Sequence, residues 1–415
     1  MVGSPKFYKS SMSQRFFNRR RSACLLLLQC TLYLSAVSLR GADPVFSNPR
    51  QAKSDLRFTL PKDTYNYADQ KYPKHVLALA AEFDNQRLTN PITNHGATLG
   101  RVLFYDKRLS SNSTIACGSC HQQRFAFADP NSVSRGFNGE SGSRNSMSLV
   151  NLRYHRSGRF FWDERADSLE AQVLMPIIDP LEMGHTLPSV VGSLCKDKMY
   201  SRLFELAFGD SEITQERIAK ALAQFVRSMT SFDSRYDQGL SKVGDPLADF
   251  PNYSEEENLG KAQFFGRGRC AECHLPPISL GGKLVAQYAF FQLTDPMVNG
   301  LDADGENADI GVGQVTRKMQ DVGKFRASSL RNIELTAPYM HDGRFRTLDQ
   351  VIEHYNWSVK PHQNLDTRLQ DFSANGMALP EVEKVALAAF LKTLTDDRFI
   401  RDPKYSDPFF DAAQH

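Results

Sequence analysis

Cys117-Gly118-Ser119-Cys120-His121 and Cys270-Ala271-Glu272-Cys273-His274 are two copies of one pentapeptide, C-x-x-C-H, set far apart in a chain of 415 residues. The pattern reads as covalent attachment of a c-type haem. Two thiols spaced by two residues can add to the two vinyl groups of one porphyrin, and the adjoining imidazole then lies under the iron as an axial nitrogen ligand. Cys117, Cys120, Cys270 and Cys273 are thereby the tethers of two haems c, with His121 and His274 as proximal ligands. A structural zinc site would want four ligands, and neither pentapeptide has a second C-x-x-C or an H-x-x-x-H nearby. A redox dithiol explains neither the trailing histidine nor its recurrence.

The rest of the chain is ordinary globular material, 41% hydrophobic and 23% charged, with length for two or three domains. Residues 1–38 stand apart. Arg19, Arg20 and Arg21 precede the apolar run Leu25 to Leu28, and Ala36-Val37-Ser38 offers a small-x-small cleavage pattern. This reads as a secretory signal peptide cut near Ser38, its apolar stretch too short and interrupted for a membrane span. A retained N-terminal anchor is the competing reading. Removal takes Lys6, Lys9, Arg15, Arg19, Arg20 and Arg21 and no acid, so a formal charge of +3 becomes about −3. The basic pI then reflects the leader, and no nucleic-acid partner is implied. Cys24 and Cys30 leave with it, so Cys195 has no cysteine mate and is expected as a buried thiol. Two C-x-x-C pairs in an exported, periplasmic chain fit haem attachment better than thiol exchange.

Residues 39–72 read as an irregular arm. Val76, Leu77, Leu79 and Ala80 recur at helical spacing between Pro73 and Phe83, and Thr98 to Tyr105 offers a second short helix. Further on, Asp167 with Glu170 forms a helix-start capping pair, predicting a helix from Ser168 to Met175 that Pro176 helps to end. Gln172 and Pro176 then share a face, and the turn Pro180 to Met183 can bring Glu182 back toward it. Ile218, Ala221, Leu222, Phe225, Val226 and Met229 form one stripe between Thr214 and Phe232. Residues 237–253, rich in Gly and Pro, read as a linker. A second unit starts at the acidic helix opening Ser254 to Glu257 and runs into the second pentapeptide, a weak internal duplication. Residues 276–325 are Gly-rich and aperiodic. Thr347 with Gln350 caps a helix whose Val351, Ile352 and Tyr355 share a face, and Glu381 to Leu394 is the closing amphipathic helix.

The run Gly100-Arg101-Val102-Leu103-Phe104-Tyr105-Asp106-Lys107-Arg108-Leu109-Ser110, leading through Thr114-Ile115-Ala116 into the first pentapeptide, resembles the bacterial di-haem cytochrome c peroxidases and their MauG-type relatives. The likeness continues to Phe399, about three quarters of the chain, through Phe161-Trp162-Asp163-Glu164-Arg165 and Thr336-Ala337-Pro338-Tyr339-Met340-His341. It implies an all-α fold of two cytochrome c-like domains, each around one covalently attached haem, with long irregular connections. With the reading above, the expected division is a peroxidatic haem domain at 73–236, a linker at 237–253, an electron-transfer haem domain at 254–400 and a tail at 401–415. The resemblance implies that hydrogen peroxide reacts at the first haem, beside Gln172, Pro176 and Glu182. A carboxylate there can shuttle a proton between the two peroxide oxygens, a contribution of ~10²–10⁴-fold. It further implies that Trp162 relays charge between the haems and that Asn145 helps hold a calcium ion.

Three departures bear on this. The Thr-Pro expected before Leu330-Arg331-Asn332 is Ala327-Ser328-Ser329 here, which removes expected calcium ligands. The loop Ser134 to Gly139 carries Phe137 where many members have a distal histidine, so the first haem is expected to be five-coordinate or water-bound. The sixth ligand of the second haem is Tyr355, as in MauG, with Met340, His341 or no protein ligand as alternatives. The electron source would be a small redox protein, a cytochrome c or cupredoxin. The alternatives are a MauG-like oxidation of residues in a partner protein and a two-haem electron carrier without catalysis.

Overall fold

The computed structural model describes residues 57–293 and 295–410. Strand is sparse among them. Ile278–Leu280 and Lys283–Val285 form a hairpin, and Arg57–Phe58 pairs antiparallel with Phe409–Phe410. The rest is helix and long loop, and two helix crossings organise it. Asn94–Tyr105 starts where Thr93 Oγ1 accepts from the Gly96 amide, and it is longer than the expected Thr98–Tyr105. It packs across Gln215–Ser228, itself capped by Thr214, burying Leu99, Val102, Leu103, Leu222, Phe225 and Val226. The backbones meet at Gly100, where a Cβ would overlap the Ala221 carbonyl.

The second crossing repeats the first. Ser254 and Glu257 form a reciprocal capping box, so Glu255–Phe265 starts with two of its orphan N–H groups satisfied. That helix packs across Glu381–Lys392, and a Cβ on Gly260 would overlap the Ala386 carbonyl. A short helix carrying each pentapeptide, Cys117–Cys120 and Cys270–His274, follows the first helix of its pair. Each crossing has its own apolar core. A smaller aromatic cluster of Phe83, Tyr154, Phe232 and Phe290 forms a third.

Several local expectations change. The segment 73–83 holds two short helices, Lys74–Leu77 and Ala80–Phe83. The helix after Asp167 is capped by Ser168, whose extended backbone lets Oγ accept from the Ala171 amide. Glu170 does not return to the cap, because the Arg227 guanidinium and the Asn90 amide hold its carboxylate. That helix stops at Gln172, and Pro176 stands in the first turn of the next, Met175–Ile178, where a missing N–H costs nothing. The stretch read as a linker from 237 begins inside a helix, Arg235–Val243, with Ser234 and Asp237 as its capping box. Cys195 is half-buried.

The segment 399–409 turns back onto the first core. Tyr405 is buried there, Tyr105 Oη donates to its carbonyl at 2.7 Å, and Gln123 Nε2 donates to the Asp402 carbonyl at 2.9 Å. Among the described residues no helix is long and apolar enough to cross a membrane. The leader expected over residues 1–38 lies outside them.

Candidate haem sites

Each pentapeptide faces a cavity. Cys117, Cys120 and His121 line the first, of about 470 Å³, and Cys270, Cys273 and His274 line the second, of about 220 Å³. Neither cysteine pair is joined as a disulfide. Burial pushes the Cys117 and Cys270 thiols up to about 12 and the Cys120 and Cys273 thiols up to about 11, so all four stay protonated. Burial also lowers both histidines, His274 to about 4, leaving neutral imidazoles able to ligate a metal. His121 Nδ1 donates to the Phe127 carbonyl at 2.9 Å, which leaves Nε2 for the cavity. His274 Nδ1 is buried without a partner. A pair of thiols, one neutral imidazole and a largely apolar chamber are what a tethered porphyrin requires, so both sites fit the group.

The first cavity gathers residues from two short helices and the loops around them. Gln172, Pro176 and Glu182 all line it, as does Trp162. Glu182 hangs on the turn after Met175–Ile178, its amide donating to the Asp179 carbonyl at 3.1 Å. The loop 134–139 clamps that turn from outside: the Phe137 amide donates to the Glu182 carbonyl at 2.8 Å, and a Cβ on Gly136 would overlap the Leu181 carbonyl. The Phe137 ring lies on Gly184, which sits at φ +58°, and it does not line the cavity. Burial, with Asp179 adding to it and Arg165 opposing, raises the Glu182 carboxyl to about 7. A group poised there can both take and give a proton near neutrality.

Among the described residues no aspartate or glutamate lines the second cavity. Both sixth-ligand candidates do, Tyr355 from the helix Leu348–Trp357 and Met340 from a loop residue at φ +74°. Burial pushes the Tyr355 phenol up to about 12, against a hydrogen bond from Asn299. His341 faces this cavity too, with its ring stacked on Phe325 at 3.8 Å.

Four residues line both cavities and so form their common wall: Asn145, Met147, Trp162 and Arg326. Trp162 is pinned at two points. Its indole Nε1 donates to the Asn145 carbonyl at 2.8 Å, and its own carbonyl accepts from the Arg326 amide at 2.8 Å. Asn145 thus serves Trp162 with its carbonyl, while its side-chain Nδ2 donates to the Asn131 carbonyl at 3.1 Å. Among the described residues no group of three or more His, Cys, Asp or Glu side chains is arranged to hold a metal ion. Burial, opposed by Glu164, lowers the Arg326 guanidinium to about 10, so it remains a buried cation beside both chambers. Arg326, Met147, Asn299 and the Phe127 carbonyl were not singled out from sequence. They lie on loops without period, and long-range backbone contacts alone bring them to the cavities.

A family model described as di-haem cytochrome c peroxidase matches residues 94–244. A methylamine utilization protein MauG from Methylorubrum extorquens is 31% identical over 308 residues, covering 74% of this chain and 79% of the relative. A cytochrome c551 peroxidase from Nitrosomonas europaea is 32% identical over 308 residues, covering 73% and 80%. The crystal structure of a MauG-like protein associated with microbial copper homeostasis superposes with a TM-score of 0.66 at 33% identity, covering 84% of this chain and 99% of that one. A di-haem peroxidase from Burkholderia thailandensis shares the fold, with a TM-score of 0.59 at 23% identity over 77% and 91% of the two chains.

Proposed function

We propose that this chain, which belongs to the di-haem cytochrome c peroxidase family and is an oxidoreductase of that kind, reduces hydrogen peroxide at its first cavity with electrons delivered through its second. The observation that carries this is the asymmetry of the chambers: a carboxyl poised near neutrality and a side-chain amide line the first, whereas no carboxyl lines the second. The domains are a peroxidatic unit at 73–236 and an electron-transfer unit at 254–400. Two covalently attached haems c are held by Cys117, Cys120 and His121 and by Cys270, Cys273 and His274. When bound, they supply irons that take peroxide and pass electrons.

The chain's own residues set the course of the reaction, H₂O₂ + 2H⁺ + 2e⁻ → 2H₂O. Glu182, through a carboxylate oxygen, takes the proton from the nearer peroxide oxygen and returns it to the farther one, so that it leaves as water. Gln172 donates an N–H that orients the peroxide, and Pro176 keeps that wall apolar. Phe137, turned onto Gly184, leaves the first chamber open without a prior reductive step. Trp162, held by Asn145 and Arg326, provides the path between chambers. Tyr355 is the residue that would hold the second haem from the side opposite His274, with Met340 as the competing residue. The electron donor is a small exported redox protein, and the chain acts in the periplasm once its leader is cut near Ser38.

A second reading, MauG-like oxidation of residues in a partner protein, is favoured by Tyr355 in place of methionine and by Phe137. One experiment separates the readings. The ferric protein is mixed with one equivalent of peroxide and its absorption and electron-spin spectra are followed with and without reduced cytochrome c. A peroxidase returns to the resting spectrum quickly only with the donor. A long-lived oxidised state indifferent to that donor supports the second reading, and two six-coordinate, peroxide-inert haems would overturn both.

A further inference from the structure

Asn299 occupies the wall between the second cavity and a smaller polar chamber beyond it. Its side-chain nitrogen lies 3.4 Å from Tyr355 Oη and 3.5 Å from Met340 Sδ, so one amide group touches the donor atoms of both competing ligands. The orientation of that amide is fixed by its other end, because Oδ1 accepts from the Leu301 amide at 3.3 Å. A flipped amide would set its NH₂ against the Leu301 N–H, donor facing donor. The backbone is anchored as well: His354 Nε2 lies 3.1 Å from the Asn299 carbonyl, and the His354 ring packs on Tyr355 with centroids 4.9 Å apart. Met340 sits at φ +74°, a conformation that costs a non-glycine residue free energy and keeps its thioether within reach of the same amide.

We infer that Asn299 is the positioning residue that selects the sixth ligand of the second haem, steadying the Tyr355 phenolate on the iron and holding the Met340 thioether off it. The inference rests on the proposed function, in which Cys270 to His274 carry a haem that Tyr355 closes. An amide has two hydrogens, and the two acceptors are unequal. A hydrogen bond to a phenolate is charge-assisted, whereas a thioether sulfur is a weak acceptor whose engaged lone pair is the one an iron would use. Both contacts therefore favour oxygen over sulfur. Without the amide, a phenolate loses this hydrogen-bond partner and the sulfur is released.

The test is made on the full chain with both haems attached, comparing wild type with Asn299→Leu, Asn299→Asp, Asn299→Leu/Met340→Leu and Tyr355→Phe. Absorption and electron-spin spectra of the ferric protein and a redox titration of the second haem are recorded, with haem content and the first-haem signal as controls. Asn299→Leu is expected to gain the long-wavelength sulfur-to-iron charge-transfer band and an upward shift of the second-haem potential, since thioether ligation raises it. Adding Met340→Leu should abolish that band. Asn299→Asp keeps the size but faces the phenolate with a carboxylate, and should shift the spectrum the same way even if the leucine variant fails to fold. Unchanged second-haem spectra and potentials in the Asn299 variants, with Tyr355→Phe altered, would overturn the role of Asn299 alone. An unaltered Tyr355→Phe spectrum would overturn the Tyr355 reading and this inference together.

Discussion

The two C-x-x-C-H cavities start from the same five-residue chemistry and end as different instruments. The first is about twice the volume of the second, carries Glu182 and Gln172, and supports its proximal His121 with the Phe127 carbonyl. The second is lined by Tyr355, Met340, Asn299, the Arg326 cation and many apolar side chains, and His274 Nδ1 has no partner among the described residues. A hydrogen bond at the far imidazole nitrogen raises ligand basicity, which favours the higher oxidation states that peroxide chemistry visits. With an iron bound as proposed, its absence would leave His274 the weaker electron donor. On that reading the pentapeptide marks where a haem would be tethered, and the surrounding loops decide what it would do.

The comparison is most exposed at Glu182. Glu182→Gln keeps size and hydrogen bonding but cannot carry the proton, so peroxide turnover should fall by ~10²–10⁴-fold. Haem content and the second-haem spectrum should stay as in wild type, and rapid-mixing absorbance distinguishes the outcomes. Undiminished turnover would mean that the chambers do not differ in the way proposed.

The helix crossings give a paired test. Gly100→Ala overfills the first crossing and Gly260→Ala the second, each by the ~1–3 kcal/mol typical of overpacking. Thermal unfolding monitored at each haem separately should show the loosening on its own side. Equal loosening of both haems by either change would show that the two cores act as one.

The pH dependence sharpens the same contrast. With its carboxyl raised to about 7, Glu182 is protonated at pH 6 and ionised at pH 8. Only the ionised form accepts the peroxide proton, so turnover should rise with pH through about 7, by up to tenfold per unit on the acid limb. The stability effect has the opposite sign. The folded chain holds this proton more tightly than the unfolded chain, whose carboxyl titrates near its ordinary 4.5. Stability contributed by the neutral form is present below that value and is lost as pH rises through about 7. Denaturant titrations of Glu182→Gln should show a flatter profile across that window.

The smallest effect is expected from Phe137→His. Restoring a histidine at this position should leave the first-haem spectrum unchanged, because the backbone of Phe137 is tied to Glu182 and its side chain is directed at Gly184. Conversion of the ferric first haem to a low-spin spectrum would show that the loop can swing inward.

What could be read from the chain was what is local. The pentapeptides, the acidic helix start at Ser254, the capping box at Thr347 and the stripe from Ile218 to Val226 each depend on residues within one or two turns, and their elements form where expected. The cap at Ser168 was assigned one residue early because Glu170 is claimed by Arg227, 57 positions away, and no local pattern announces that partner. Asn299 and Arg326 lie in aperiodic stretches, and what matters about them is whom they meet. Glu182 was named through family likeness. Its proximity to the cavity depends on the clamp from Gly136 and Phe137, a contact between loops that spacing cannot encode.

The return of residues 399–409 makes the first core a composite of segments far apart in the chain. Tyr105 Oη and Gln123 Nε2 hold this segment by its Tyr405 and Asp402 carbonyls, so the first core is completed by residues up to 300 positions further along the chain. A protease nick after Thr395 would accordingly loosen the core around Asn94–Tyr105 more than the one around Glu255–Phe265.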